Sequence, residues 1–431
     1  MAERICLTEA VLLAGDHLDL LRDAALTIEG ERILSLDGHI PAGAEAQPLP
    51  GRLICPMFVD AHCHLGDTGA KDMGIGLPLE QVVNPPHGLK HRFLSQVSPE
   101  QHILQMRHGL LEMLSNGVIA CADFREQGLR GVNMLRQAAR ELPIRVRILG
   151  RMGEGQPDQD AEAEAHELLH VADGLGVRDI ECYDPQALVR LRRAYPHKLF
   201  ALHAAENRQA EQASWQATGM GQARRALAWD PDFIVHLVHT APAELAELAR
   251  RHVIGVACPR SNAVLGDGQP DLPAWKQAGL SFALGSDNVM FCAPDMLREM
   301  DFASRLLRGR SENAAALPPV ELLTAATIHG ARALKLEDDL GSLAPGKEAS
   351  FVVFNFQTPN LRFSHDLLNS LVHRATPEDI ESIYIRGQRY ERAHFLSQAR
   401  RLAEDCLQAA RTDPATPGHR PAGKTRPISV E

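Results

Sequence analysis

The sequence predicts an α/β protein, a (β/α)8 TIM barrel carrying a small β-sandwich domain built from both chain ends. Three observations predict it. Short apolar runs alternate with longer amphipathic stretches over residues 55–339. Turn-and-strand chemistry fills residues 1–54 and returns over 340–390. Several of the central apolar runs end on His or Asp just before a loop. Such alternation marks parallel βα units, and chemistry in barrels of this kind gathers at the C-terminal strand ends.

Composition supports one large domain and a smaller one. The chain has 431 residues, 45% hydrophobic and 23% charged, with a net charge of −10. It carries no basic stripe for nucleic acid and no run of eighteen apolar residues for a membrane. Met1-Ala-Glu-Arg lacks the basic start and apolar stretch of a signal peptide, so a cytoplasmic protein with a small-molecule partner is expected. Assembly of like chains stays open. The eight cysteines (6, 55, 63, 121, 182, 258, 292, 406) contain no C-x-x-C pair, which argues against a disulfide framework or a zinc knuckle.

The elements follow in order. Residues 4–13, 25–29 and 32–36 read as strands broken by Gly30, Gly38 and the turn at 41–43. In the barrel region strands are expected at 117–122, 145–150, 199–203, 233–236, 254–257 and 281–285. Helical spacing covers 101–116, 132–142, 161–174, 185–195, 206–218 and 243–252, and Asn116-Gly117 and Thr218-Gly219 supply stop signals. A helix at 319–336 precedes turn-then-strand segments at 341–354 and 380–390. The remainder, 391–431, reads as a C-terminal helix to about 411 and then a Pro-, Gly- and Arg-rich tail with the composition of a disordered segment.

The chemistry begins at His62-Cys63-His64, where an apolar run ends and Gly66, Asp67, Thr68 and Gly69 begin a loop. Side chains in a strand alternate faces, so the two imidazoles point together and can hold a divalent metal. Phe200-Ala-Leu-His-Ala-Ala-Glu puts His203 at a strand end with Glu206 three residues on, a place for a third ligand and a proton carrier. The next strand ends at His236, with His239 one loop step beyond, and either can face the site. Leu284-Gly-Ser-Asp287 then sets a carboxylate just past an apolar strand, where a charge is costly unless it meets a metal or a base. His203-Ala-Ala-Glu206 is followed by Asn207, so this segment is not the H-x-x-E-H form, and H-x-E with P-C-x-x-C does not occur, which excludes the deaminases of flipped bases.

The set resembles the amidohydrolase superfamily, in its cytosine-deaminase-like and chlorohydrolase-like branch, through Val59-Asp-Ala-His-Cys-His, His203-Ala-Ala-Glu, His236-Leu-Val-His, Cys258-Pro-Arg-Ser-Asn and Leu284-Gly-Ser-Asp-Asn. Residues 341–354 resemble that family's closing β signature, so the likeness spans about residues 1–390. The resemblance implies that His62, His64, His203 and Asp287 bind one catalytic metal. It implies further that Glu206 shuttles protons and that His236 contacts the attacking water or the substrate, with His239 the second choice. Three imidazoles and a carboxylate suit Zn2+, with Fe2+ the alternative. Binuclear relatives use a bridging lysine, and the one lysine between Lys90 and Lys276 is Lys198, at the wrong end of its strand. A mononuclear site is therefore expected, with Glu181 or Cys182 as the remaining bridging candidates.

For substrate, Arg125, Arg151 and Arg260 lie near expected strand ends and can bind a carboxylate. A salt bridge of Arg125 with Glu126 or Asp123 is the bland alternative. His87, Lys90 and His91 sit in a loop over the expected site. The activity implied is that of an aminohydrolase, releasing ammonia from an aminated heterocycle or amidine by attack of metal-activated water. Hydrolysis of a cyclic amide or an aryl chloride at the same site is the alternative. A catalytically silent metal-binding scaffold is the alternative of another class, and Glu206 argues against it, because a structural metal needs no proton carrier.

Overall fold

The computed structural model describes residues 4–22, 24–152 and 161–412. Its central sheet is parallel and runs in the order Phe58–His64, Val118–Arg125, Arg145–Gly150, Gly174–Val177, Leu199–Ala204, Phe233–His236, Ile254–Ala257 and Phe282–Leu284. A short segment, Asp287–Asn288, follows the last strand and pairs with Cys63 and His64 of the first. The sheet thus curls through eight strand positions and closes on itself. Between the strands run helices such as Pro99–Ser115, Gly128–Ala139 and Pro185–Ala194, whose apolar faces cover the barrel.

Closure depends on a buried carboxylate. Asp60, inside the first strand, accepts hydrogen bonds from the Ser286 amide at 2.9 Å and its hydroxyl at 2.5 Å, and from the His62 amide at 3.3 Å. Burial pushes Asp60 up to about 7 despite those bonds. The backbones meet closely here: a Cβ on Gly285 would lie 2.8 Å from the His62 carbonyl oxygen.

Both chain ends contribute to two further sheets. One has the order Arg32–Ser35, Leu26–Glu29, Arg4–Thr8, Glu45–Pro48; the other runs Gln388–Tyr390, Ile380–Ile385, Phe351–Asn355, Arg52–Pro56, Val11–Ala14, Asp19–Leu21. Alternation along one strand explains how this second sheet docks. Phe351 and Val353 face a small core with Leu7, Leu12 and Ile28, while Val352 and Phe354 face the barrel core, where Phe354 meets Phe58 at 6.4 Å. The sheet includes strand Arg52–Pro56, so the chain crosses into the barrel at Met57, slightly beyond the expected residue 54. The helix Arg392–Thr412 lies on Pro99–Ser115, with the Ala399 carbonyl 2.9 Å from His108 Nδ1. Beyond residue 412 the expected tail lies outside the described residues.

The elements differ from expectation in several places, and the strand expected at 4–13 is two, Arg4–Thr8 and Val11–Ala14. A barrel strand, Gly174–Val177, stands where a helix end is expected. The single helix expected at 319–336 is two, Pro319–Ala325 and Ile328–Ala333. The helix expected from Glu206 starts at Arg208, capped by the Asn207 side chain, which leaves Glu206 in the loop. The eight cysteines are free, and no helix among the described residues is long and apolar enough to cross a membrane.

Removing the closure carboxylate leaves two buried amides and a hydroxyl unpaired. Asp60→Ala is expected to lower unfolding stability by about 2–4 kcal/mol in denaturant titration of the metal-free protein. An unchanged midpoint would show that closure does not depend on Asp60.

Candidate metal centre and active site

The strand ends bring four side chains to one point at the C-terminal mouth. His62 and His64 lie on one face of the first strand, their rings 4.9 Å apart. His203 comes from the fifth strand, 4.9 Å from the His62 ring and stacked on His64 at 5.6 Å. Asp287 arrives on the closing segment. His62 Nε2 is 3.2 Å from both His203 Nε2 and Asp287 Oδ1, and His64 Nε2 is 3.4 Å from the same carboxylate oxygen.

Bonds on the outer side of two rings decide which nitrogen faces inward. His64 Nδ1 donates to Glu126 Oε1 at 2.9 Å, with the Phe124 carbonyl at 3.2 Å, and His203 Nδ1 donates to the Arg178 carbonyl at 3.1 Å. Both Nε2 atoms therefore turn lone pairs to the centre. His62 can add one proton at most, so acceptors outnumber donors where three nitrogens and a carboxylate oxygen meet. A cation removes the imbalance. A tetrahedral ion with bonds of about 2.0–2.1 Å has ligand–ligand edges of about 3.3–3.4 Å, close to the three spacings given above. Among the described residues, the groups able to hold an ion are His62, His64 and His203, and His62, His236 and Asp287. The residues present fit a divalent metal.

Electrostatics agree with a ligand set. Burial and the Lys90 charge hold His64 down to about 3, and burial with the neighbouring histidines holds His203 well below its ordinary value, so both rings are neutral. Burial alone would raise Asp287, but its hydrogen bond to His62 and the surrounding imidazoles hold it well below the usual carboxylate range. Glu206 goes the other way: desolvation and the Asp287 charge push it up to about 8. Its Oε1 lies 3.4 Å from His236 Nε2. His236 Nδ1 accepts from Asn262 Nδ2 at 3.1 Å, which leaves His236 an Nε2–H directed at the site.

Local backbone strain aims these groups. Ala205, His236 and Asp287 adopt φ of 52°, 76° and 60°, a left-handed conformation unusual for residues other than glycine. Each turns the chain sharply as its strand ends, so that the side chains reach inward rather than along the strand.

Of the remaining sequence candidates, Arg151 lines the same cavity, a space of about 110 Å³ bounded also by Lys90, Arg178, Glu206 and Asn288. Arg125 does not. It is fully buried under Gly66, paired with Glu126 and 3.6 Å from Asp123, the bland alternative of the sequence. Arg260 turns to Glu299 and the Ala293 carbonyl and lines a separate depression. His239 Nε2 is spent on the Asp267 carbonyl at 2.7 Å, so His236 is the one that faces the cluster. His91 binds the Val83 carbonyl at 2.9 Å, and His87 does not line the cavity. Glu181 pairs with Arg225, and Cys182 accepts from Arg178, so neither bridges at the centre.

Ser261 and Asn262 carried no role in the sequence, where Glu126 figured only as a salt-bridge partner of Arg125 and Lys90 only as a loop residue over the site. Ser261 donates to Asp287 Oδ2 at 2.6 Å and Asn262 holds His236; both sit in Cys258-Pro-Arg-Ser-Asn, a motif that carried no assigned role. Glu126 holds His64, and Lys90 holds Glu126.

Comparison with known proteins agrees with this architecture. Residues 53–390 match the model of the amidohydrolase family. A putative aminohydrolase of Methanothermobacter thermautotrophicus is 31% identical over 394 residues, covering 88% of this chain and 100% of that protein. A 5-methylthioadenosine/S-adenosylhomocysteine deaminase of Halobacterium salinarum is 29% identical, covering 81% and 84%. The fold superposes on an adenosine deaminase from Xanthomonas campestris with bound zinc at a TM-score of 0.80, with 22% identity over 94% of this chain and 98% of that one. With the family match spanning the barrel and most of the flanking sheet, the chain belongs to the amidohydrolase family.

Proposed function

We propose that the chain is a mononuclear, zinc-dependent aminohydrolase that releases ammonia from an aminated heterocycle or amidine. The observation that carries this reading is Glu206 standing beside the inward Nε2–H of His236, next to His62, His64, His203 and Asp287. A metal kept for structure alone needs neither group. His62, His64, His203 and Asp287 are the ligands proposed. Zinc is preferred to iron because it suits the same donors and is the metal bound in the superposed Xanthomonas structure. The names of the relatives, a putative aminohydrolase and a deaminase, support the reaction class.

When bound, the metal acts as a Lewis acid and lowers the pKa of water in its open position to about 7. The chain's own residues handle the protons. Glu206 takes one from the attacking water as the new carbon–oxygen bond forms, while the His236 Nε2–H donates to that oxygen. Glu206 then gives its proton to the amino nitrogen, the carbon–nitrogen bond breaks, and ammonia leaves. The second water proton passes to the ring nitrogen and leaves an oxo product. Asp287, fixed by Ser261, orients the water through its carboxylate.

Ammonia release from metal-loaded protein across a panel of aminopurines, aminopyrimidines and amidines tests the reaction. The account expects ammonia stoichiometric with product, and another product formed without ammonia contradicts it. Glu206→Gln should retain one metal per chain while turnover falls about 10²–10⁴-fold. His203→Ala should lose the metal, as read by elemental analysis after gel filtration. Full activity in Glu206→Gln would remove Glu206 from the proton path.

A further inference from the structure

One wall of the cavity holds a buried ammonium whose protons are not all spent. Lys90 opens the helix Leu89–Gln96, which lies over the barrel mouth, and is only 1% exposed, yet it lines the cavity. Its Nζ lies 2.6 Å from Glu126 Oε1 and 3.6 Å from Asp67 Oδ2. The first is a close ion pair; the second is beyond hydrogen-bond length. Asp67 is also committed elsewhere, accepting from Asn288 Nδ2 at 2.8 Å and the Met290 amide at 3.0 Å.

Glu126 is itself shared. One oxygen is paired with Lys90 and lies 2.9 Å from His64 Nδ1 and 3.2 Å from Arg151 Nη1, and the other pairs with Arg125. A single carboxylate thus serves three cations and a metal-facing histidine. Burying an ammonium costs several kcal/mol unless its charge is matched, and an apolar residue would fill a merely structural position more cheaply. Lys90 also lines the space a substrate must enter. Because Lys90 and His64 share one carboxylate oxygen, the ammonium stands directly beside the cluster, close to where the amino-bearing ring must lie.

We propose that Lys90 is a specificity-determining residue that donates to an anionic group, a carboxylate or phosphate, carried on or close to the aminated ring, with Arg151 on the same wall. The inference rests on the aminohydrolase reading of the same cavity. It narrows the substrate class from aminated heterocycles in general to anionic ones. Charge-assisted bonds in a dry site separate anionic from neutral partners by about 10-fold or more in affinity.

Equilibrium binding to the metal-loaded Glu206→Gln protein tests this apart from turnover, with two matched pairs. These are 4-aminopyrimidine against its 5-carboxylate, and adenosine against adenosine 5′-monophosphate. The wild-type wall should favour the anionic member of at least one pair by about 10-fold or more, and which pair responds distinguishes a carboxylate from a phosphate. Adding Lys90→Met should bring that ratio to within about 3-fold when the proteins are compared at matched metal content, whatever it does to overall affinity. Equal or tighter binding of both neutral members overturns the proposal without any variant, and so does no binding by either anion. A preference that survives Lys90→Met overturns the role of Lys90. Ammonia release by the Glu206-containing protein is a separate readout, so failure of the reaction class is distinguishable from failure of this inference.

Discussion

Too many lone pairs meet at one point: this is the constraint on which the mouth of the barrel depends. Three imidazole nitrogens and a carboxylate oxygen approach to 3.2–3.4 Å with at most one proton among them. Such an arrangement repels itself without a cation, so the surrounding structure has to hold it in place. Asp60 ties the first strand to the turn before Asp287, and three left-handed residues aim the side chains. Backbone carbonyls fix the ring tautomers. The barrel supplies rigidity where the ligand set opposes itself, the usual relation between a metal site and the outer contacts that orient it.

The same logic extends outward through buried charge. Glu126 joins His64 to Lys90, Arg125 and Arg151, which come respectively from the helix over the mouth, the second strand and the end of the third strand. Gly66 makes room for the Arg125 guanidinium, which a Cβ at that position would strike. Ligand orientation and the character of the cavity wall therefore share one carboxylate. A change at the wall is felt by the metal ligand, and the coupling is electrostatic over contacts of about 3 Å in a low-dielectric interior.

Local pattern made part of this legible in the sequence. The pair at 62 and 64 follows from strand alternation alone, and His203, Glu206 and Asp287 follow from their position just beyond apolar runs. The fourth barrel strand was hidden for a physical reason. Gly174-Leu-Gly-Val177 lacks the side chains that mark a strand because its glycines admit close neighbours: a Cβ on Gly174 would lie 1.9 Å from the Leu199 carbonyl oxygen, and one on Gly176 2.6 Å from the Phe124 ring. Glu126, Lys90, Ser261 and Asn262 take their meaning from partners distant in sequence, which no local period reports. Arg125 and Arg260 drew notice as cations near strand ends, and only packing shows that their partners are internal.

The central claim is a single metal held by His62, His64, His203 and Asp287. X-ray absorption spectroscopy of the purified holoprotein, combined with metal counting, tests it most directly. The account predicts one metal per chain, three imidazole ligands with carboxylate oxygen, no sulfur ligand and no metal–metal scattering. Two metals per chain with a short metal–metal vector, or a sulfur ligand, would contradict it.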